Sequence, residues 1–192
     1  LKEAVKFRRM MSNRFRIADS LADMGFYKGL SGDLDAAFIH AEEAINLYRD
    51  GLNPGATGYI VRVLMWYAVF LWMNKQHDLA IKRIAEAEQL IPQMKRMEQK
   101  YDDVTPAIRF YRDFFASDYV AAKEAYIKWL EVKHYNILEY DYPGMCFFAL
   151  TLSYTGDEES AICLMSAIYQ TTCFPRSYEQ NEEYQNWLDG IR

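Results

Sequence analysis

Residues 64–92 read LMWYAVFLWMNKQHDLAIKRIAEAEQLIP, and this stretch decides the fold. Through Met73 it is apolar and uncharged. Lys75-Gln76-His77 is a short polar break, and beyond it Ala80, Ile84 and Ala87 return at helical spacing. The predicted unit is therefore a helix, a tight turn and a second helix. Val63–Met73 has eleven uncharged residues directly after Arg62. A membrane-spanning helix needs about 20 apolar residues, so this run reads as a buried core helix.

The same order recurs on both sides. Asp35-Ala36-Ala37, Asp78-Leu79-Ala80, Ala121-Ala122 and Ser160-Ala161 each follow a polar break: Ser31-Gly32-Asp33, Lys75-Gln76-His77, Ser117-Asp118 and Thr155-Gly156-Asp157. Ala37, Ala80, Ala122 and Ala161 stand 43, 42 and 39 residues apart, a period that marks an α-solenoid. Asp33, Asp118 and Asp157 are placed to cap second helices, where a carboxylate accepts from free N–H groups and meets the positive end of the dipole. Gly32 and Gly156 permit the sharp turn before them. The small Ala residues let paired helices approach closely; a large side chain there should cost about 1–3 kcal/mol. Pro54, Pro92 and Pro175 are expected to stop second helices. The expected pairs are 14–30 with 34–50, 58–74 with 77–98, 104–116 with 119–134, and 143–154 with 158–172. Flanking helices are expected over about 2–11 and 177–190.

Aligned in this way, the sequence resembles the tetratricopeptide repeat (TPR) superfamily over roughly residues 14–175. Leu64, Tyr67, Ala68 and Leu71 fall on its first-helix positions, and Ala80, Ile84, Ala87 and Pro92 on its second-helix positions. The first repeat contributes Leu21, Met24, Gly25, Gly32, Ala37, Ala41 and Ala44; the fourth contributes Met145, Phe148, Ala149, Leu152, Gly156, Ala161 and Met165. The third departs from the pattern, with Phe110 for the small residue and Trp129 for an Ala. The period exceeds the usual TPR length, the extra residues falling in the second helices and the loops after them. Stretched repeats of this kind resemble those of bacterial regulators and sensors. The resemblance implies an all-α fold: a right-handed α-solenoid of about four TPR-like helical hairpins with N- and C-terminal flanking helices. Its parts are a basic helix over 1–13, repeats over 14–175 (about 14–54, 58–98, 104–135 and 143–175), and a capping helix over 176–192.

Composition narrows the function. The 192 residues are 51% apolar and 26% charged, so the chain should fold, and a net charge of −5 argues against a nucleic-acid coat. No phosphate-binding glycine loop, dinucleotide fingerprint or H-E-x-x-H occurs. The three cysteines, Cys146, Cys163 and Cys173, form no C-x-x-C pair and read as free buried thiols. His40, His77 and His134 have no ligand spacing. Asp102-Asp103 has the charge to hold a cation but reads as a solvated loop. Glu42-Glu43 and Glu158-Glu159 read as first-turn acids and solvated faces, and His134 as a partner of terminal carbonyls. No enzyme activity, cofactor or metal is expected.

The resemblance assigns a concave groove to the first helices. Carried over residue by residue, it is lined by Phe26, Arg62, Met65, Val69, Trp72, Met73, Tyr111, Phe114 and Tyr154. Arg62 alone suits a clamp for a terminal carboxylate, so that mode is disfavoured. Three readings of the apolar lining compete: ordinary core, a groove for the apolar face of a partner helix or extended peptide, or a groove the chain fills itself. The third draws on Tyr184, Trp187, Leu188 and Ile191, one helical stripe whose plainer role is to cap the last repeat. At the other end Lys2, Lys6, Arg8, Arg9, Arg14 and Arg16 face Glu3 alone, a basic amphipathic segment read as a capping helix with a solvated face.

The expected function is a non-catalytic TPR-like protein- or peptide-interaction module. The alternatives are a sensory or regulatory domain of a bacterial signalling or transcription regulator and, less favoured, an enzyme on a helical scaffold. The expected partner is a protein or peptide with an apolar helical or extended segment; neither nucleic-acid binding nor a membrane span is expected. The start at Leu1 reads as a processed chain or a piece of a longer one. With no signal peptide, the cytoplasm is the expected compartment, and the periplasm is the alternative for a sensor.

Overall fold

The computed structural model describes residues 14–50, 55–96, 104–132 and 142–173. Eight α-helices and no strand occur among them: α1 (Arg14–Leu30), α2 (Leu34–Asp50), α3 (Ala56–Met73), α4 (His77–Arg96), α5 (Thr105–Phe115), α6 (Tyr119–Val132), α7 (Tyr142–Tyr154) and α8 (Glu158–Cys173). The chain is all-α, and each helix falls within two residues of its expected bounds. The flanking segments, Pro54, Asp102, Asp103, His134 and Pro175 lie outside the described residues.

Consecutive helices pack in pairs: α1 with α2, α3 with α4, α5 with α6, and α7 with α8. One turn is used four times. Gly32, Lys75, Ser117 and Gly156 all take left-handed backbone, with φ of 84°, 60°, 61° and 82°. In each turn that residue donates its N–H three residues back, to Gly29, Trp72, Phe114 and Ser153 in chain order. The next residue (Asp33, Gln76, Asp118 or Asp157) donates five back, to Lys28, Leu71, Asp113 and Leu152. These two bonds satisfy carbonyls that a helix end would otherwise leave bare. The same four residues open the second helices, accepting at their carbonyls from Ala37, Ala80, Ala122 and Ala161. The four small residues are thus fixed in register by the turn and buried against the first helix.

The expected aspartate caps form. Asp33 Oδ1 accepts from Ala36 at 3.4 Å, Asp118 Oδ1 from Ala121 at 3.1 Å, and Asp157 bonds Ser160. Lys28 holds the Asp33 carboxyl below the usual range, and Lys123 with Ser160 does the same for Asp157. The expectation for Pro92 is corrected. It lies inside α4, which runs on to Arg96. Pro92 is exposed, so a carbonyl one turn back can tilt toward water and the helix survives the missing N–H.

The chain divides into two compact units, Leu1–Tyr101 and Asp102–Arg192. In the first, α3 packs on both α1 and α2. Gly25 and Gly29 form a notch for it: a Cβ at Gly25 would lie 2.8 Å from Trp66 Cη2, and one at Gly29 2.2 Å from Phe70 Cε2. Phe26 meets both rings, at 6.2 Å from Trp66 and 6.1 Å from Phe70 between centroids, and Phe38 meets Tyr67 at 5.3 Å. In the second unit α7 plays the matching part. Phe147 lies on Phe114 at 4.7 Å, and Phe148 stacks on Tyr126 at 4.1 Å and meets Phe110 edge-on. Phe110 is thereby core.

Helix α3 is long and apolar enough to cross a membrane. Most of it is buried against α1, α2 and α4, the setting expected of a core helix.

Candidate functional site

The nine residues expected to line a groove separate by burial. Val69, Tyr111 and Phe114 are buried, as in the reading of the lining as ordinary core. Tyr111 and Phe114 are covered by Phe147 at 6.4 and 4.7 Å. Val69 sits between Ala68 and Phe70, both wholly buried on the packed side of α3. Phe26, Met65 and Trp72 are half-buried, and Arg62, Met73 and Tyr154 are exposed.

In the first unit the less buried apolar residues lie on α1 and α3. Leu30 and Met73 hold the same place, two residues before the left-handed turn residue, on α1 and α3, which pack together. They are 43% and 58% exposed, far above a core residue, and Tyr27 beside them is 53% exposed. Phe26 touches Tyr27 at 5.8 Å and links it to Phe70 and Trp66. Trp72 stacks on His77 at 4.0 Å, which braces the indole from one side. Tyr27, Leu30 and Met73 are exposed apolar side chains near the turn ends of α1 and α3, and exposed apolar side chains of this kind mark interaction surfaces where they gather.

Arg62 pairs with Asp19 at 3.5 Å and Asp23 at 3.9 Å and lies over the Tyr59 ring, so its charge is already met within the protein. That removes the one residue suited to a carboxylate clamp. Tyr48 donates to Asp19 Oδ1 at 3.1 Å, and burial, then the Asp19 charge, pushes its hydroxyl well above the ordinary 10.0. Glu42 is not simply a solvated acid. It accepts from the Tyr67 hydroxyl at 3.0 Å and pairs with Arg83, which also holds Glu86 at 3.0 Å; Glu86 in turn pairs with Arg49. This network ties α2, α3 and α4 together. Sequence reading missed it because its members lie on three helices with no shared spacing.

In the second unit an open trough of about 800 Å³ runs between α7 and α8. Cys146, Ala149, Leu150 and Ser153 line one side, and Ala161, Ile162, Met165 and Ser166 the other. Leu150, Ile162 and Met165 are all exposed. Cys163 is exposed on α8 and Cys146 is half-buried in the trough wall, which corrects the expectation of buried thiols. Among the described residues no three His, Cys, Asp or Glu side chains gather as metal ligands would.

Comparison with protein-family models, with curated proteins and with solved structures finds no match to this chain.

Proposed function

We propose that this chain is a non-catalytic, TPR-like interaction module, built on a right-handed solenoid plan, that takes up an apolar helical or extended segment of a protein or peptide. The observation that carries the reading is the set of exposed apolar side chains on α1 and α3, Tyr27, Leu30 and Met73, on helices that also carry the half-buried Phe26, Met65 and Trp72. Burying such side chains on a partner is favourable by about 25 cal/mol per Å² of apolar surface, and Met and Trp suit irregular apolar partners. The recurrence of one turn, one small residue and one pairing scheme supports the repeat reading. The internal pairing of Arg62 turns the reading away from terminal carboxylates and toward apolar side chains.

Peptides selected from a random library against the protein test the proposal. Enriched peptides should carry apolar residues at helical or alternating spacing, and their affinity should change little with salt. Met73→Glu and Trp72→Ala should each weaken binding about tenfold, equivalent to about 1.4 kcal/mol, while the helical circular dichroism signal persists. Recovery of only acidic or only basic peptides, or full affinity in Met73→Glu, would contradict it.

A further inference from the structure

The second helix of each pair carries charge along its length, with one exception. α2, α4 and α6 hold five, seven and four charged residues. α8 has only Glu158 and Glu159, both in its first turn, and α7 beside it has none. A helix face left to water is ordinarily polar or charged. Around the trough of about 800 Å³, Leu150, Ile162 and Met165 are instead 47%, 66% and 46% exposed, and no charged side chain lines it. An uncharged, concave, apolar face of this kind marks a contact surface.

We propose that the trough docks on the same trough of a second copy of this chain, about a two-fold axis that sets the two α8 helices antiparallel. Shape is the first reason. A two-fold contact uses one patch on both copies, so the patch must offer projections and recesses together. Both walls do: Leu150 projects between the small Ala149 and Ser153 on α7, and Ile162 and Met165 project between Ala161 and Ser166 on α8. Charge is the second reason. The lining has no ionic group to select a charged partner, and the nearby acids are gathered at one end. Glu158 and Glu159 are exposed there, while Asp157 pairs with Lys123 at 2.9 Å. Antiparallel docking of a 16-residue helix holds the two acidic ends about 24 Å apart, roughly three Debye lengths at physiological salt, so their repulsion is screened. An anionic lipid surface would meet those acids directly. Size is the third reason. Helices of 13 and 16 residues present a face of roughly 20 Å by 20 Å, and two such faces remove about 1,000 Å² from water, the threshold for a specific contact. The dimer is therefore weak and concentration-dependent. The inference concerns a different unit from the α1 and α3 side chains and stands or falls without that reading.

Sedimentation equilibrium on the full chain, from roughly 5 μM to 1 mM, tests the proposal over the range where a contact of this size dissociates. The chain should pass from monomer to dimer. Leu150→Glu and Ile162→Glu should each weaken association at least about tenfold with the helical circular dichroism signal retained, and Met73→Glu should leave it unchanged. Methyl-labelled methionine NMR on the unaltered chain keeps the test independent of how the variants fold. The Met165 methyl should shift with protein concentration in step with the dimer fraction, while Met73 stays in place. A chain that is monomeric throughout, a dimer indifferent to both glutamates, or a dimer lost in Met73→Glu would each overturn the proposal. So would a Met165 signal independent of concentration, or one that moves only when phosphatidylglycerol vesicles or a selected peptide are added.

Discussion

Gly29 marks how closely α1 and α3 approach. Glycine inside a helix ordinarily costs about 0.5–1 kcal/mol against alanine, so Gly→Ala usually stabilises. Here the added Cβ would lie 2.2 Å from Phe70 Cε2, and Phe70 is wholly buried. The sign should therefore reverse. Gly29→Ala is expected to lower stability by about 1–3 kcal/mol in urea melts, with Gly25→Ala, 2.8 Å from Trp66 Cη2, destabilising less. Tyr48 gives a pH-dependent counterpart. Its folded-state hydroxyl titrates above the 10.0 of the unfolded chain. Its contribution is thus fully present below pH 10.0 and is lost as pH rises beyond that value. Tyr48→Phe should cost about 1 kcal/mol at pH 8, through the lost bond to Asp19, and the gap to wild type should narrow in melts at pH 11. At this scale the sequence was partly legible. Gly25 fell on a repeat position that calls for a small residue, whereas Gly29 did not, and only its contact with Phe70 reveals it.

The four turns show what a helix pair requires and what it tolerates. All use the same left-handed residue, but only Gly32 and Gly156 are glycine; Lys75 and Ser117 carry side chains there. Left-handed backbone costs a non-glycine residue roughly 1–2 kcal/mol, partly offset by its smaller entropy loss on folding. Lys75→Gly and Ser117→Gly should therefore raise the melting temperature slightly, and Gly32→Ala and Gly156→Ala should lower it, by about 1 kcal/mol of stability. Nothing lies within 4 Å of a Cβ at either glycine, so the loss would report backbone strain alone. Helix positions were legible because polar breaks, cap aspartates and small residues all point to the same turn. Pro92 was misread because a proline on an exposed helix face interrupts one bond without ending the helix. Val69, Tyr111 and Phe114 fall to the core among the readings of the first-helix stripe, because one stripe serves both as core and as lining and only the neighbouring helix decides which.

At the scale of the molecule, the repeated pair was written in the spacing of Ala37, Ala80, Ala122 and Ala161, and all four are buried as that spacing requires. The binding face was less legible. Its separation from core depends on how far α3 sinks into the Gly25–Gly29 notch, a distance no periodicity encodes. Leu30, Met73 and Tyr27, on α1 and α3, are among the large apolar side chains left exposed. The proposed function rests on this remainder, and methionine methyls report on it directly. Titrating a selected peptide into the methyl-labelled protein should move Met65 and Met73 in step, saturating with one affinity, while Met145, buried in α7, stays still. A titration that leaves Met65 and Met73 unmoved while the peptide binds would contradict the account.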